Sequence, residues 1–530
     1  MIDRRQFAAG SAALAAAGCT EPAVLPGRLG GASSARGHLL RQALAAGPPD
    51  DVIETGIAII GGGIAGLSAG WTLADAGRRD FLLLELEDAP GGNARSGRNA
   101  ISAHPLGAHY LPVPNPESRG VVRLLEQLRL ITGWQGGKPV MDEFAVVADP
   151  DQRLLYRGRW QEGLIPAIGA TAQDRADVAA FFAAMDAWRE TTGRDGRPAF
   201  AIPLELASRD PALLALDRLR FSDWVSAQGW HSPLLAAHLR YACRDEYGCE
   251  PADVSAWAGI HYFAGRRGQA ANVAGDAVLT WPAGNGHLAA RMASRLRDHI
   301  LAAMVVGRVE PHGGGVRITA IDARRQHRVE VRARAAIMAV PRFVAARIVE
   351  GWQGSDAGFT YAPWVVANAS VSRPPAGPGA ALAWDNVSGT SQSLGYVVAT
   401  HQSLRSAPGP SVLSWYMPLS QGDPAAARQL LQRRSLGEWQ ALVQDDLLAM
   451  NPDLAGAITR IDVWRWGHAM ARPTPGFIWG SARQAAARLD GPILAAHSDI
   501  SGIPVFEEAH DRGTAAALAA LGRDPDGARA

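Results

Sequence analysis

The pattern of apolar and polar positions divides the chain into elements. Residues 56–60 form a short apolar run that predicts a strand, and residues 81–84 form a second that ends on Glu85. Between them lie Gly61-Gly-Gly-Ile-Ala-Gly66 and a stretch that predicts a helix. Helical spacing recurs over residues 121–131 and 176–188, inside a segment from 105 to 270 that reads as mainly helical. From Trp281 the pattern changes to a helix over 288–300, strands near Val306 and over 316–319, and an apolar strand over 329–340 that stops at Pro341. Residues 345–460 mix strands with a helix over 436–448. The segment 492–521 predicts a strand, a loop over 500–504 and an alanine-rich helix with Glu507 and Glu508 in its first turn.

Strand, glycine turn, helix and acid-tipped strand, in that order, predict a dinucleotide site. Gly61 permits the tight turn, and Gly63 lets the backbone approach a pyrophosphate favoured by the helix N-terminus. Gly66 lets helix and strand pack closely. Glu85, about twenty residues further on, is spaced to accept hydrogen bonds from a ribose. Gly91 and Gly92 follow just beyond it.

The 530 residues, 47% of them hydrophobic, suffice for a large core and more than one structural unit. A net charge of +1 gives no general attraction to nucleic acid or anionic lipid, and no nucleic-acid partner is expected. Lys138 is the sole lysine, which leaves lysine nearly unavailable as a base. Cys243 and Cys249 leave two alternatives open, a disulfide or two inert thiols, and without a second pair they predict no metal site. The chain starts Met-Ile-Asp-Arg4-Arg5-Gln-Phe7, followed by small apolar residues over 8–18 and then Cys19. This stretch is too short and too alanine-rich to span a bilayer. It resembles a twin-arginine (Tat) export signal, and Ala-Ala-Gly-Cys19 resembles a lipoprotein cleavage box. The resemblance implies delivery of the folded protein to the periplasm by the twin-arginine machinery. Either lipid anchoring through Cys19 or cleavage to a soluble form would follow. Residues 20–50, rich in Gly, Ala, Ser and Pro, read as a tether.

Several stretches across most of residues 55–522 resemble the flavin-containing amine oxidase superfamily. Gly61 to Gly66, Glu85 and Gly91-Gly-Asn-Ala-Arg95-Ser96 look like that family's opening FAD segment. Val306 and Val309 with Gly315-Val316 resemble its strand pair facing the adenine, and Ala339-Val-Pro341 the turn closing its middle segment. Asp499 stands where the family keeps an acid near the ribityl chain, and Glu508-Ala509 with Gly513 falls on its final helix. The resemblance implies an α/β fold, with a Rossmann-like FAD-binding domain of the glutathione-reductase type interleaved with a mixed α+β substrate domain. Residues 51–105, 275–345 and 460–525 would build the first, and 106–274 and 346–459 the second. It implies FAD held by Gly61, Gly63, Gly66, Glu85, Gly91, Gly92, Arg95, Ser96, Val306, Asp499 and Glu508. The final helix would aim its N-terminus at the flavin pyrimidine edge.

The same resemblance supplies catalytic candidates. His109 and Tyr110 follow Gly107 in a segment like the family's first substrate-facing loop. Trp464, Trp466 and His468 precede Arg472-Pro-Thr-Pro-Gly476, where the family places an aromatic lining. His109, Tyr110, Trp466 and His468 form the candidate set, although such residue types serve more often as core or structural groups. The cluster Arg244-Asp-Glu-Tyr247, with Trp257, His261 and Tyr262, reads either as a cavity wall or as a buried ion-pair network. Two departures from the family stand out. The region of Tyr361-Ala-Pro-Trp364 lacks the lysine that holds a water against flavin N5, and Ala469 stands where a cage aromatic or a flavin-linked cysteine is usual. They imply non-covalent FAD and slow reaction with oxygen. The expected function is an exported FAD-dependent oxidoreductase in which an amine, or a similar small donor, passes a hydride to flavin N5. The alternatives are an isoprenoid-type desaturase or isomerase, and a flavin-binding electron-transfer or assembly lipoprotein without catalysis of its own.

Overall fold

A computed structural model describes residues 25–40, 47–273, 277–352, 358–404, 409–488 and 491–525. The expected export signal and Cys19 lie outside the described residues. Strand Asp51–Ile60 runs parallel between Phe81–Glu85 and His327–Met338 at the centre of a seven-stranded sheet. Its side chains alternate between two cores: Ile57 and Ile59 join one cluster, Ala58 and Ile60 the other. That double burial is why the run is apolar without interruption. Ile300–Ala302 and Ile493–Ala495 add parallel strands, and Gly315–Asp322 with Met304–His312 add an antiparallel ribbon. Helix Ile64–Asp75 lies on one face and packs along helix Phe506–Ala520. The two approach so closely that a Cβ on Gly513 would stand 2.0 Å from the Ala65 carbonyl oxygen.

The second sheet has eight strands. Its central strand Tyr361–Val371 is buried along its whole length, between Ile458–Ala471 and Ser411–Pro418. Helices Ala172–Glu190, Pro233–Tyr247 and Ala256–Ala264 enclose a further apolar core beside it. The segment expected to be mainly helical also contains the hairpins Ile131–Gln135/Lys138–Met141 and Gln152–Tyr156/Arg159–Glu162. Their turns use positive φ at Gly136, Gly137, Arg157 and Gly158, a hairpin signal that helical spacing obscured. The helices expected over 121–131 and 288–300 accordingly stop at Gln127 and Arg295, because Ile131 and Ile300 already begin strands.

The described part of the expected tether is docked. Leu29–Gly31 pairs in parallel with the edge of Ile458–Ala471, and Arg36 donates to Asp88 at 2.7 Å. An edge strand offers unpaired backbone groups, and Gly30 can reach them beside Trp464, whose ring would stand 2.4 Å from any Cβ there. Cys243 and Cys249 are buried free thiols, so of the two alternatives the structure has the unpaired one.

Candidate active site

The first sheet opens at the C-terminal ends of its parallel strands into a cleft of about 360 Å³, within the range of ligand-binding pockets. Gly61 takes φ +101, and any Cβ there would meet the Ala339 carbonyl oxygen at 2.4 Å. Gly66 supports the turn from behind, since a Cβ on it would stand 1.9 Å from the Gly61 carbonyl oxygen. A Cβ on Gly63 would meet nothing closer than Gly92 Cα at 3.8 Å, so the open side of Gly63 is the cleft itself. Glu85 Oε2 accepts from the Gly62 N–H at 2.7 Å and Oε1 from the Glu87 N–H at 2.8 Å. Burial raises its proton affinity against those two hydrogen bonds, and each oxygen keeps a second lone pair for a ribose hydroxyl. Val306 lines the same cleft beside the register shift that interrupts its ribbon.

Asp499 lies at the cleft's other end. It accepts from the Arg342 N–H and the Tyr361 hydroxyl, both at 2.7 Å. Burial works against its charge, but His497 and these donors keep its carboxyl below the usual range. The N-terminus of helix Phe506–Ala520 has no side-chain cap, and Val505 and Phe506 border the cleft there. These features fit a dinucleotide cofactor: a glycine cradle open to its phosphates, a carboxylate at each end and an uncapped helix terminus.

Some expected contacts fall elsewhere. Gly91 shapes the turn by donating its N–H to the Gly62 carbonyl at 2.8 Å, while Gly92 lines the cleft. Arg95 does not line it: its guanidinium donates to the Ala89 carbonyl and faces the Trp464 ring at 5.7 Å. Ser96 is held in strand Ser96–Arg98 beneath Gly286. Glu508 points away from the cleft and accepts the Leu204 N–H, while its neighbour Glu507 faces a second cavity. Adjacent helical residues lie about 100° apart, so only one of the two can face inward.

That second cavity, about 160 Å³, shares Asn93, Ala108, Asn285, Ala469 and the 504–506 turn with the cofactor cleft, so the two spaces join. His109, Tyr110, Trp364, Tyr416 and Trp466 form aromatic walls. Trp466 is fixed by donating its indole N–H to the Leu106 carbonyl at 2.6 Å. Trp464, tilted against it at 5.8 Å, lies outside the cavity, so the tryptophan pair does not form a cage. His468 lies on the cofactor side instead, stacked on Phe343 at 4.1 Å. Burial lowers the pKa of both His109 and His468 to about 4, which leaves neutral imidazoles at neutral pH.

The acidic cluster is both things the sequence allowed. Glu246 is ion-paired to Arg266 at 2.6 Å, and Asp245 lines the cavity, accepting from the Tyr110 hydroxyl at 3.1 Å. Burial, with Glu246 nearby, raises the Asp245 pKa to about 7, against Tyr110 and Arg266. Arg244, Tyr247, Trp257 and His261 stay in the packing behind it. Trp364, in the region where the family has its lysine, presents an indole to the cavity. Asn285 and Arg266 were invisible as site residues in the sequence, since neither stands in a motif.

The chain matches the family described as flavin containing amine oxidoreductase over residues 64–461 and belongs to it. It is a FAD-dependent oxidoreductase. Among solved structures it is similar to wild-type putrescine oxidase bound to putrescine, at 16% identity over 89% of this chain and 100% of that one, with a TM-score of 0.67. It is also similar to cyclohexylamine oxidase from Brevibacterium oxydans IH-35A, at 17% identity over 90% and 99% of the two chains, with a TM-score of 0.62. A fatty acid isomerase from P. acnes that produces CLA shares the fold at 15% identity over 87% and 97%, with a TM-score of 0.58. No curated protein matches the chain.

Proposed function

We propose that this protein oxidises a cationic amine, taking a proton from the nitrogen and a hydride from the carbon next to it, so that a protonated imine is released. The observation that carries the reading is Asp245: a carboxyl whose pKa lies at about 7, on the wall of an aromatic cavity that opens directly onto the cofactor cleft. Bound FAD supplies the two-electron acceptor. Asp245 attracts the ammonium form and, at its raised pKa, can take the proton that must leave before the nitrogen lone pair assists hydride loss. Trp466 and Trp364 orient the donor and keep water away. Neutral His109 cannot repel the cation.

Acidic lining disfavours an isoprenoid or fatty-acid substrate, because an apolar chain would leave these carboxylates desolvated and unpaired. An assembly or electron-transfer subunit would have no need of such a cavity beside its flavin. Ala469 borders the flavin side with a methyl group and no nucleophile, which supports non-covalent FAD: acid precipitation should leave the yellow colour in the supernatant. With Trp364 in place of a lysine, reduced protein should reoxidise slowly in air and faster with a quinone. Export by the twin-arginine route to the periplasm, with anchoring through Cys19, completes the reading. The decisive test is anaerobic addition of amines to the FAD-loaded protein. Loss of the flavin absorption band supports the reading, and an unchanged spectrum with every amine overturns it.

A further inference from the structure

Beyond the inner cavity lies an outer chamber of about 650 Å³. The two share His109, Tyr110, Asp245, Arg266 and Tyr416, so the outer chamber connects through the inner cavity to the cofactor cleft. Asp385 lines the outer chamber alone and is 5% exposed. It stands on strand Asp385–Ser388, within hydrogen-bond reach of helix Pro233–Tyr247, which carries Asp245 and Tyr241. Tyr241 donates its hydroxyl to Asp385 Oδ2 at 2.9 Å and Tyr416 to Oδ1 at 3.1 Å. Two neutral donors hold the carboxylate in place but do not neutralise it. Burial raises its pKa to about 7, with Asp245 contributing. Arg189, Arg266 and Arg267 also line the chamber, but they pair with Asp186, Glu246 and Glu117, and no arginine pairs with Asp385 among the described residues.

A second observation points to a donor ligand in this chamber. His238 lines it with an Nδ1 that has no hydrogen-bond partner among the described residues, and burial keeps its imidazole neutral, able to accept a hydrogen bond. In the inner cavity, Asn285 Oδ1 and Glu246 Oε1 are likewise without partners, on residues 2% and 4% exposed. Unpaired acceptors in both spaces cost stability unless a ligand with donors reaching both satisfies them.

We propose that the outer chamber is a second cation subsite, in which Asp385, positioned by Tyr241 and Tyr416, receives a distal ammonium group, so that the substrate is a linear diamine or polyamine. This rests on the amine-oxidising reading of the inner cavity. The distal ammonium is held by its charge and takes no part in the chemistry. Its role is to set which carbon stands beside the flavin.

The test compares one and two charges. Binding of non-oxidisable α,ω-bis(trimethylammonium)alkanes and of alkyltrimethylammonium ions of equal length is measured by flavin difference absorbance on the holoenzyme, for wild type, Asp385→Asn and Tyr241→Phe. Wild type should bind the dication at least tenfold more tightly. The ratio should fall to near one in Asp385→Asn and about threefold in Tyr241→Phe, which removes a single oxygen and guards against misfolding. Wild type that does not discriminate, or an Asp385→Asn variant with the ratio unchanged, overturns the proposal. The kinetic counterpart is the ratio of kcat/KM for diamines over monoamines, which should collapse in Asp385→Asn. Tight dication binding without amine-dependent flavin reduction would sustain the subsite and defeat the amine-oxidising reading. Monoamine oxidation without dication preference would do the reverse.

Discussion

At the scale of single residues, Gly63 and Gly66 belong to one motif yet do different work. A side chain at Gly63 points into empty cleft, so Gly63→Val should fold, keep its thermal transition within a few degrees and purify colourless. Gly66→Ala has a carbonyl oxygen 1.9 Å away and should lose stability by about 2–4 kcal/mol through overpacking, seen as a lowered Tm. Asp245 sets the pH behaviour. Its pKa, ordinarily 3.8, stands at about 7 in the folded protein, so between those values the folded state holds a proton that the unfolded chain has released. Its contribution to stability therefore falls as pH rises through that window, and a bound cation offsets the loss. Glu246, Glu507, Arg266, Tyr110 and Asp385 share the cavities. Cationic inhibitors should bind more tightly as pH rises through 7 and raise Tm more at pH 8 than at pH 5. In Asp245→Asn this pH dependence should flatten, and kcat/KM for amines should drop by about 10²–10³; an unaltered profile would remove Asp245 from its assigned role.

At the scale of elements, the strand Leu29–Gly31 fastens the start of the described chain to the edge of the second sheet, and Arg36 of helix Ser34–His38 ties it to Leu86 and Asp88 beyond the first sheet's strand Phe81–Glu85. Deleting residues through 40 should lower Tm by a few degrees without loss of flavin, since none of the described residues among them borders the cofactor cleft. An unchanged Tm would show the docking to be incidental. The composition of this segment suggests a tether because Gly-Ala-Ser-Pro content reports the absence of an apolar face, not the presence of an unpaired sheet edge to meet it. The opening strand, glycine turn and helix were legible for the opposite reason: local steric demands of the turn and double burial of residues 57–60 both leave marks in the sequence. Helix Phe506–Ala520 was legible too, but which acid faces inward was not. Glu507 and Glu508 differ by one residue, and only packing against Leu204 and Arg266 separates their directions. Asp385 was beyond reach, because its meaning comes from Tyr241 and Tyr416, far from it in sequence.

At the scale of the whole molecule, two sheets and a helical layer frame three adjoining spaces: the glycine-lined cleft, the aromatic cavity and the outer chamber that holds Asp385. The family resemblance implied the general form of this arrangement, while the charge of the passage emerged only once distant acids were brought together. Export is tested separately: replacing Arg4 and Arg5 by lysine should leave yellow, folded protein in the cytoplasm, and a periplasmic yield equal to wild type would refute the signal. Cys19→Ala should release the protein from membranes if that cysteine carries lipid. The central claim, that cationic amines are the electron donors, meets its most direct test in anaerobic stopped-flow mixing of the FAD-loaded protein with a linear diamine, a monoamine and an isoprenoid lipid. Loss of the flavin band with the amines, fastest with the diamine, is the predicted result; loss with the lipid alone, or with none of the three, would contradict it.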